Sequence, residues 1–76
     1  MTEQELMRLF AKRIRRKIVA LGIDQRELAR RANIREQTLS RYILCQRKPT
    51  YDMVIRIAQA LECPPSELID IDEMLV

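Results

Sequence analysis

Residues Gln25 to Arg41, which read QRELARRANIREQTLSR, determine the fold that we predict for this chain. The first half carries Leu28, Ala29 and Ala32 on one face at helical spacing, with arginines on the opposite face. Asn33 is predicted to end this helix, because asparagine tolerates the left-handed backbone that reverses a chain at a helix end. A tight turn should follow, and then a second short helix.

The second helix is predicted from about Glu36 to Leu44, with Leu39, Tyr42 and Ile43 sharing its apolar face. The side chains that point elsewhere are Glu36, Gln37, Ser40, Arg41 and Leu44. Glutamine can bond adenine in two places, arginine can bond guanine, and glutamate can accept from cytosine, so this row could read DNA bases. An ordinary solvated helix shows a similar polar face, so the row alone does not establish DNA contact.

The turn between the two helices has the residue spacing of a helix-turn-helix. Ala29 stands where the helices approach, Asn33 follows four positions later, and Ile34 comes directly after it. Residues 22–61 resemble the Cro and lambda-repressor type of helix-turn-helix domain. The matching pieces are Leu21-Gly22-Ile23, Gln25, Glu27-Leu28-Ala29, Ile34, Thr38-Leu39-Ser40-Arg41, Pro49-Thr50 and Ile57-Ala58-x-Ala60-Leu61. The resemblance implies an all-α domain of five helices, with the helix-turn-helix at helices 2 and 3.

The remaining helices are predicted from their caps and apolar stripes. Thr2 with Glu5, and Asp24 with Glu27, have the spacing of capping boxes. The first helix should run to Gly22 along a stripe of apolar residues: Leu6, Phe10, Ile14, Ile18 and Leu21. Its other face is basic, and it either stays solvated or lies near DNA phosphate.

After the second helix of the motif, Pro49 ends a loop and Thr50 should cap the next helix. The predicted core face is Val54, Ile57, Ala58 and Leu61, and Tyr51 is expected to close that core. Cys63 should return inward, and Pro64-Pro65 should open a last short helix, because proline is tolerated at the first helical position. Leu68 then completes the core.

Length and charge set the class of protein. Seventy-six residues form one domain, residues 1–76, without room for a second core. Through Lys48 there are 13 Lys and Arg against 5 Asp and Glu, a formal charge of +8, and the rest of the chain has a charge of −5. A basic half that contains the predicted helix-turn-helix suits a nucleic-acid surface.

Composition also excludes several classes of function. The chain has no His, no Gly-rich loop and no nucleophile beside a plausible base, so we do not expect an enzyme. Two cysteines without metal-binding spacing predict no metal site and no cofactor. Without a signal peptide or a membrane-length apolar run, we expect a cytoplasmic, nucleoid-associated protein.

Several positions depart from the resembled family. Many members pair helices 1 and 3 through Arg and Glu at the positions of Ile18 and Ile43, and two apolar residues are often a neutral or stabilising replacement. We therefore expect Ile18 to pack against Ile43. Cys45 stands where relatives often have glycine, so either it adopts a strained left-handed conformation or the turn differs.

Four basic or amide side chains around the motif are candidate phosphate contacts. The resemblance implies that Gln25 binds phosphate at the start of helix 2, where free N–H groups favour an anion. Arg35 replaces the usual Ser or Thr cap of helix 3, at a cost of roughly 1 kcal/mol, which suggests a role toward DNA. Arg47 and Lys48 in the following loop are also candidates, although a solvated loop pair remains the alternative.

The leading functional hypothesis is a sequence-specific regulator of the Cro or repressor kind, from a phage or prophage, that binds double-stranded DNA. Gln37 and Arg41 are the first candidates to read bases, followed by Glu36 and Ser40, and Thr38 could touch a phosphate or a thymine methyl. The apolar end, residues 69–76, is expected to form a homodimer that binds a palindromic operator. The alternative is an antitoxin-like DNA-binding protein that also holds a partner protein.

Overall fold

The structure, a computed structural model, describes residues 2–69, and this part of the chain is entirely helical. It contains α1 (Glu3–Leu21), α2 (Gln25–Ala32), α3 (Glu36–Ile43) and α4 (Tyr51–Ala60), followed by a three-residue 3-10 helix, Pro65–Glu67. Between residues 2 and 69 there is no strand and no fifth α-helix, so the predicted last helix is a single 3-10 turn here. The next two residues, Leu68 and Ile69, are fully buried.

Three of the helices begin at residues whose side chains cap the first turn, as predicted. The side-chain oxygens of Thr2, Asp24 and Thr50 each accept from the backbone N–H three residues later, at 3.1, 2.8 and 3.2 Å. Such a bond satisfies one of the N–H groups that a helix start leaves without an intrahelical partner. Arg35, at the start of α3, makes no side-chain cap bond. The prediction that α3 lacks a side-chain cap at its N-terminus is therefore confirmed.

All four α-helices end in the same chain reversal. A residue with positive φ follows each helix, and these residues are Gly22 (68°), Asn33 (56°), Cys45 (58°) and Glu62 (59°). In each case that residue and the next donate backbone bonds back to the last turn, the pattern known as a Schellman motif. Of the two alternatives for Cys45, the left-handed conformation is the one found. Cys45 and Glu62 occupy a conformation that side chains with a Cβ disfavour.

The core is formed where α1 and α2 pack on α3 and where α2 packs on α4. Its fully buried large side chains are Phe10, Ile14, Leu28, Leu39, Tyr42, Val54, Ile57, Leu68 and Ile69. Ile43 is buried and Ile18 packs against the same cluster, so neither projects into solvent. The expected direct contact between Ile18 and Ile43 stays a prediction.

Two apolar residues assigned to the core from the sequence lie at the surface instead. Tyr51 is 46 % exposed. It is the first residue of α4, and helical side chains lean toward the N-terminus, so its ring extends past the end of the helix. Leu21 is 36 % exposed, because Gly22 reverses the chain there and Ile23 packs against the core.

The positive-φ residues provide a test of these helix ends. Changing Cys45→Gly should raise the free energy of unfolding by up to about 1 kcal/mol, because glycine adopts the left-handed backbone without steric cost. Glu62→Gly should act in the same direction. Equilibrium denaturation in urea measures both changes.

The matched control for each position is alanine, which also carries a Cβ and should give no such gain. If Cys45→Ala stabilised the protein as much as Cys45→Gly, the effect would come from loss of the thiol and the strain at this turn would be disproved.

Candidate nucleic-acid interface

One face of α3 is held in the core while the other remains accessible. Leu39, Tyr42 and Ile43 are buried. On the opposite side the candidate base-reading residues divide into two groups: Glu36, Gln37 and Arg41 are exposed, and Thr38 and Ser40 are half-buried. None of the five is buried by the described part of the chain.

The first turn of α2 is bonded directly to the accessible side of α3. Gln25 Nε2 donates to Ser40 Oγ at 2.7 Å, and both residues are half-buried. Sequence reasoning treated these residues as separate contacts, a phosphate ligand and a base reader. The bond leaves the Ser40 hydroxyl hydrogen free to donate and holds the Gln25 amide at the N-terminal end of α2.

The cations around α3 are exposed and unpaired within the described residues. Arg35 precedes the helix, Arg41 lies on it, and Arg47 and Lys48 follow in the loop. None of these four forms a salt bridge within residues 2–69. An unpaired, solvated cation can meet a phosphate without first breaking an internal ion pair.

The arginines at the far end of α2 are held differently. Glu27 bonds Arg30 with both carboxylate oxygens, at 2.7 and 2.6 Å, and its Oε2 also accepts from Arg31 at 3.0 Å. The Arg30 bonds, followed by the Arg31 bond, lower the pKa of Glu27 to about 2 from an ordinary 4.5. Glu27 therefore neutralises part of this surface, and its side chain is engaged with the two arginines.

The basic face of α1 is also accessible. Arg8, Lys12, Arg15 and Arg16 are exposed, and Arg13 and Lys17 are half-buried. Lys17 bonds Glu67 at 2.7 Å, and this hydrogen bond raises the pKa of Lys17 above its ordinary value. Most of this face therefore contributes positive charge without an ion-pair partner within residues 2–69, and Arg15 is the residue of it whose side chain is bonded to α3.

Comparison with known protein families decides the class of this domain. The family described as helix-turn-helix, of the Cro/C1 type, matches residues 13–68, which include all of α2, α3 and α4. The chain belongs to this helix-turn-helix family. Membership places it among DNA-binding transcription regulators, as the sequence predicted.

Two solved structures resemble this helix-turn-helix protein over most of their length. The restriction-modification controller protein C.AhdI from Aeromonas hydrophila is 25% identical, with a TM-score of 0.79 over 83% of this chain and 96% of that one. A hypothetical transcription factor, NHTF, from Neisseria is also 25% identical, with a TM-score of 0.81 over 99% of this chain and 87% of that one. No curated protein matches the chain.

The described residues of this helix-turn-helix protein were compared with the requirements of a metal site and of a membrane span. Between residues 2 and 69 no group of three or more Cys, Asp or Glu side chains is arranged to hold a metal ion. In the same part of the chain, no helix has both the length and the apolar character needed to cross a bilayer.

Two hydrogen bonds that join α3 to other helices were not predicted from the sequence. One is the Gln25–Ser40 bond, and the other joins Arg15 of α1 to the backbone carbonyl of Ile43 at 3.2 Å. Both link residues on different helices, so their partners depend on how the helices cross. One signal was available, namely that Arg15 is a long donor near the middle of α1, the helix that packs on α3.

The Glu27 cluster predicts a pH dependence. The pKa of Glu27 is lower in the folded protein than in the unfolded chain, so its contribution to stability is complete above about pH 4.5 and is lost as the pH falls toward 2. As the pH falls through this range, the melting temperature of the wild type should therefore drop more steeply than that of Glu27→Gln.

Glu36→Gln is the matched control, because Glu36 also lies in the first turn of a helix but forms no salt bridge within residues 2–69. Its curve should follow wild type. A Glu27→Gln curve that stays parallel to wild type from pH 5 to pH 2 would show that the cluster is not formed in solution.

Proposed function

We propose that this protein is a sequence-specific DNA-binding regulator in which α2 and α3 form the helix-turn-helix and α3 enters the major groove. The observation that supports this assignment is the division of α3 into two faces. Leu39, Tyr42 and Ile43 anchor it to the core, and the polar side chains opposite them stay accessible. A helix held in this way can enter a groove without disturbing the fold.

The base-reading residues would be Gln37 and Arg41, with Glu36 and Ser40 in support. Gln37 and Arg41 are exposed and lie four residues apart, one turn of the same helix face. Arginine bonds guanine and glutamine bonds adenine with paired hydrogen bonds, which distinguish one base pair from another. Thr38, half-buried beside them, would contact a phosphate or a thymine methyl group.

Phosphate contacts would fix the register of the protein on the duplex. Gln25 lies at the N-terminus of α2, where free backbone N–H groups favour an anion, and its bond to Ser40 fixes its side chain. Arg35, Arg47 and Lys48 are exposed on the segments at either end of α3. Such contacts position the protein but carry no sequence information themselves.

The regulator would act as a homodimer on a palindromic operator, in the manner of a Cro or repressor protein of a phage or prophage. Ile69, the first residue of the predicted dimerisation segment, is buried in the core, and residues 70–76 lie outside the described residues. Ile69 would therefore anchor the segment, and the apolar residues after it would form the interface. Such a protein would work in the cytoplasm, at the nucleoid.

Selection of bound duplexes from a random DNA pool tests the proposal. We expect an enriched sequence with two-fold symmetry and half-site centres about 34–36 Å apart, one helical turn, because each subunit would insert one α3. Sedimentation of the complex should give two chains per duplex. Recovery of no enriched sequence would refute sequence-specific binding, and a second kind of chain in the natural complex would favour the antitoxin-like alternative.

Two variants separate base reading from phosphate contact. Arg41→Ala should relax the preference at one base pair, at a cost of about 1–3 kcal/mol on the preferred sequence. Arg47→Ala should weaken all sequences alike and reduce the slope of log affinity against log salt by about one unit. Each variant removes one exposed cation, so each is the control for the other. An unchanged preference in Arg41→Ala would refute its role as a base reader.

A further inference from the structure

The side chain of Arg15, in the middle of α1, reaches the end of α3. Its Nη2 donates to the backbone carbonyl oxygen of Ile43 at 3.2 Å. Among the side-chain hydrogen bonds of residues 2–69, it is the one in which a side chain donates to a backbone carbonyl. Arg15 thus connects the longest helix to the last residue of the helix that carries the proposed base readers.

The Ile43 carbonyl needs such a donor. The last carbonyls of a helix have no intrahelical N–H partner. Backbone N–H groups at the end of α3 bond three of these carbonyls. Leu44 N–H donates to the Ser40 carbonyl, Cys45 N–H to that of Tyr42 and Gln46 N–H to that of Arg41. No backbone N–H of residues 2–69 reaches Ile43, whose side chain and backbone together are only 7 % exposed. A guanidinium also suits the negative end of the helix dipole.

α3 is poorly stabilised by its own sequence at both ends. It has eight residues, and helices this short are not stable in isolation. Arg35 supplies no cap at the N-terminal end. At the C-terminal end Cys45 takes the left-handed position that glycine fills without strain. A bond from another helix therefore has more effect on α3 than it would have on a long, well-capped helix.

The apolar contacts between α1 and α3 do not fix direction. Ile43 belongs to the core, and Ile18 packs against it. Burial of apolar surface is non-directional. A guanidinium N–H bonded to a carbonyl has a preferred distance and angle. The Arg15 bond thus restricts the rotation of the end of α3 relative to α1 in a way that the isoleucines cannot.

We propose that Arg15 is a positioning residue that sets the orientation of α3 for DNA recognition by bonding the Ile43 carbonyl. This inference rests on the proposed function of α3 in DNA binding. Arg15 itself need not touch a base or a phosphate. Its loss leaves α3 less ordered in the free protein, so that DNA binding must order it again.

The test compares three variants: Arg15→Met, Arg15→Lys and Arg8→Met. Arg8 lies two turns earlier on the same face of α1, is exposed, and makes no hydrogen bond within residues 2–69, so Arg8→Met removes one charge but no bond. Two quantities are measured. The first is affinity for the selected operator at several salt concentrations, and the second is amide hydrogen exchange of Leu44, Cys45 and Gln46 without DNA.

We expect Arg15→Met to bind roughly three- to tenfold more weakly than Arg8→Met, the usual net effect of one hydrogen bond. The difference should persist as salt rises, because it does not come from long-range charge, whereas the loss in Arg8→Met should shrink. The three amides should exchange faster in Arg15→Met alone. Arg15→Lys keeps the charge and one donor, and it should recover part of both losses.

Equal losses in Arg15→Met and Arg8→Met, with the same dependence on salt and unchanged exchange, would overturn the inference and leave Arg15 as one cation among several. The exchange measurement needs no DNA, so the two proposals can fail separately. Faster exchange in Arg15→Met together with a wild type that selects no DNA sequence would refute the proposed function and show that the bond serves the fold alone.

Discussion

Burial of the apolar face of α3 is the constraint on which the rest of the structure depends. An eight-residue helix cannot hold its own shape in water, so its conformation and direction come from what it packs against. Leu39 and Ile43 are each worth about 1.5–3 kcal/mol on burial, more than the cost of a missing cap, and the ring of Tyr42 is buried beside them. Because those three side chains must face α1 and α2, the opposite side of the helix faces away from the protein. The accessible polar row is thus a consequence of core packing.

The chain reversals determine where that packing can occur. Each α-helix ends at a left-handed residue and the chain turns back toward the core, which allows helices of eight to ten residues to pack in one small domain. Gly22 and Asn33 suit this conformation, and both ends were predicted from the sequence. Cys45 and Glu62 do not suit it, and backbone hydrogen bonds from each of them and from the residue after it hold the reversal there. The strain at Cys45 is next to the Arg15 bond, which stabilises the same end of α3.

Local signals in the sequence predicted the helices well. Thr2, Asp24 and Thr50 have side-chain oxygens that suit helix starts, and such a bond needs only the next three residues. A capping box also has a second bond, in which the later side chain accepts from the backbone N–H of the cap residue, and Glu27 does not make that bond. Glu27 turns to Arg30 and Arg31 instead, because two cations on the next turn compete for its carboxylate. Helical periodicity identified most of the core in the same way.

Features that depend on the meeting of two helices could not be predicted. The bond between Gln25 and Ser40, and that between Arg15 and the Ile43 carbonyl, join residues 15 and 28 positions apart. Their existence follows from crossing angles that no local pattern contains. The exposure of Tyr51 was missed for a related reason, since the periodicity of α4 does not reveal what lies beyond its first residue. For the candidate site, the sequence therefore predicted which residues are present on the surface, and the structure showed which of them are coupled.

We propose that DNA meets the accessible face of α3. The most direct test of this proposal is to follow the backbone amide resonances of the full chain by NMR while a selected operator duplex is added. We expect the largest shifts at Gln25, at residues 35–41 and at residues 47–48, with small shifts along the exposed face of α4. Shifts concentrated on α4 and the 3-10 helix, with residues 35–41 unchanged, would contradict the proposal.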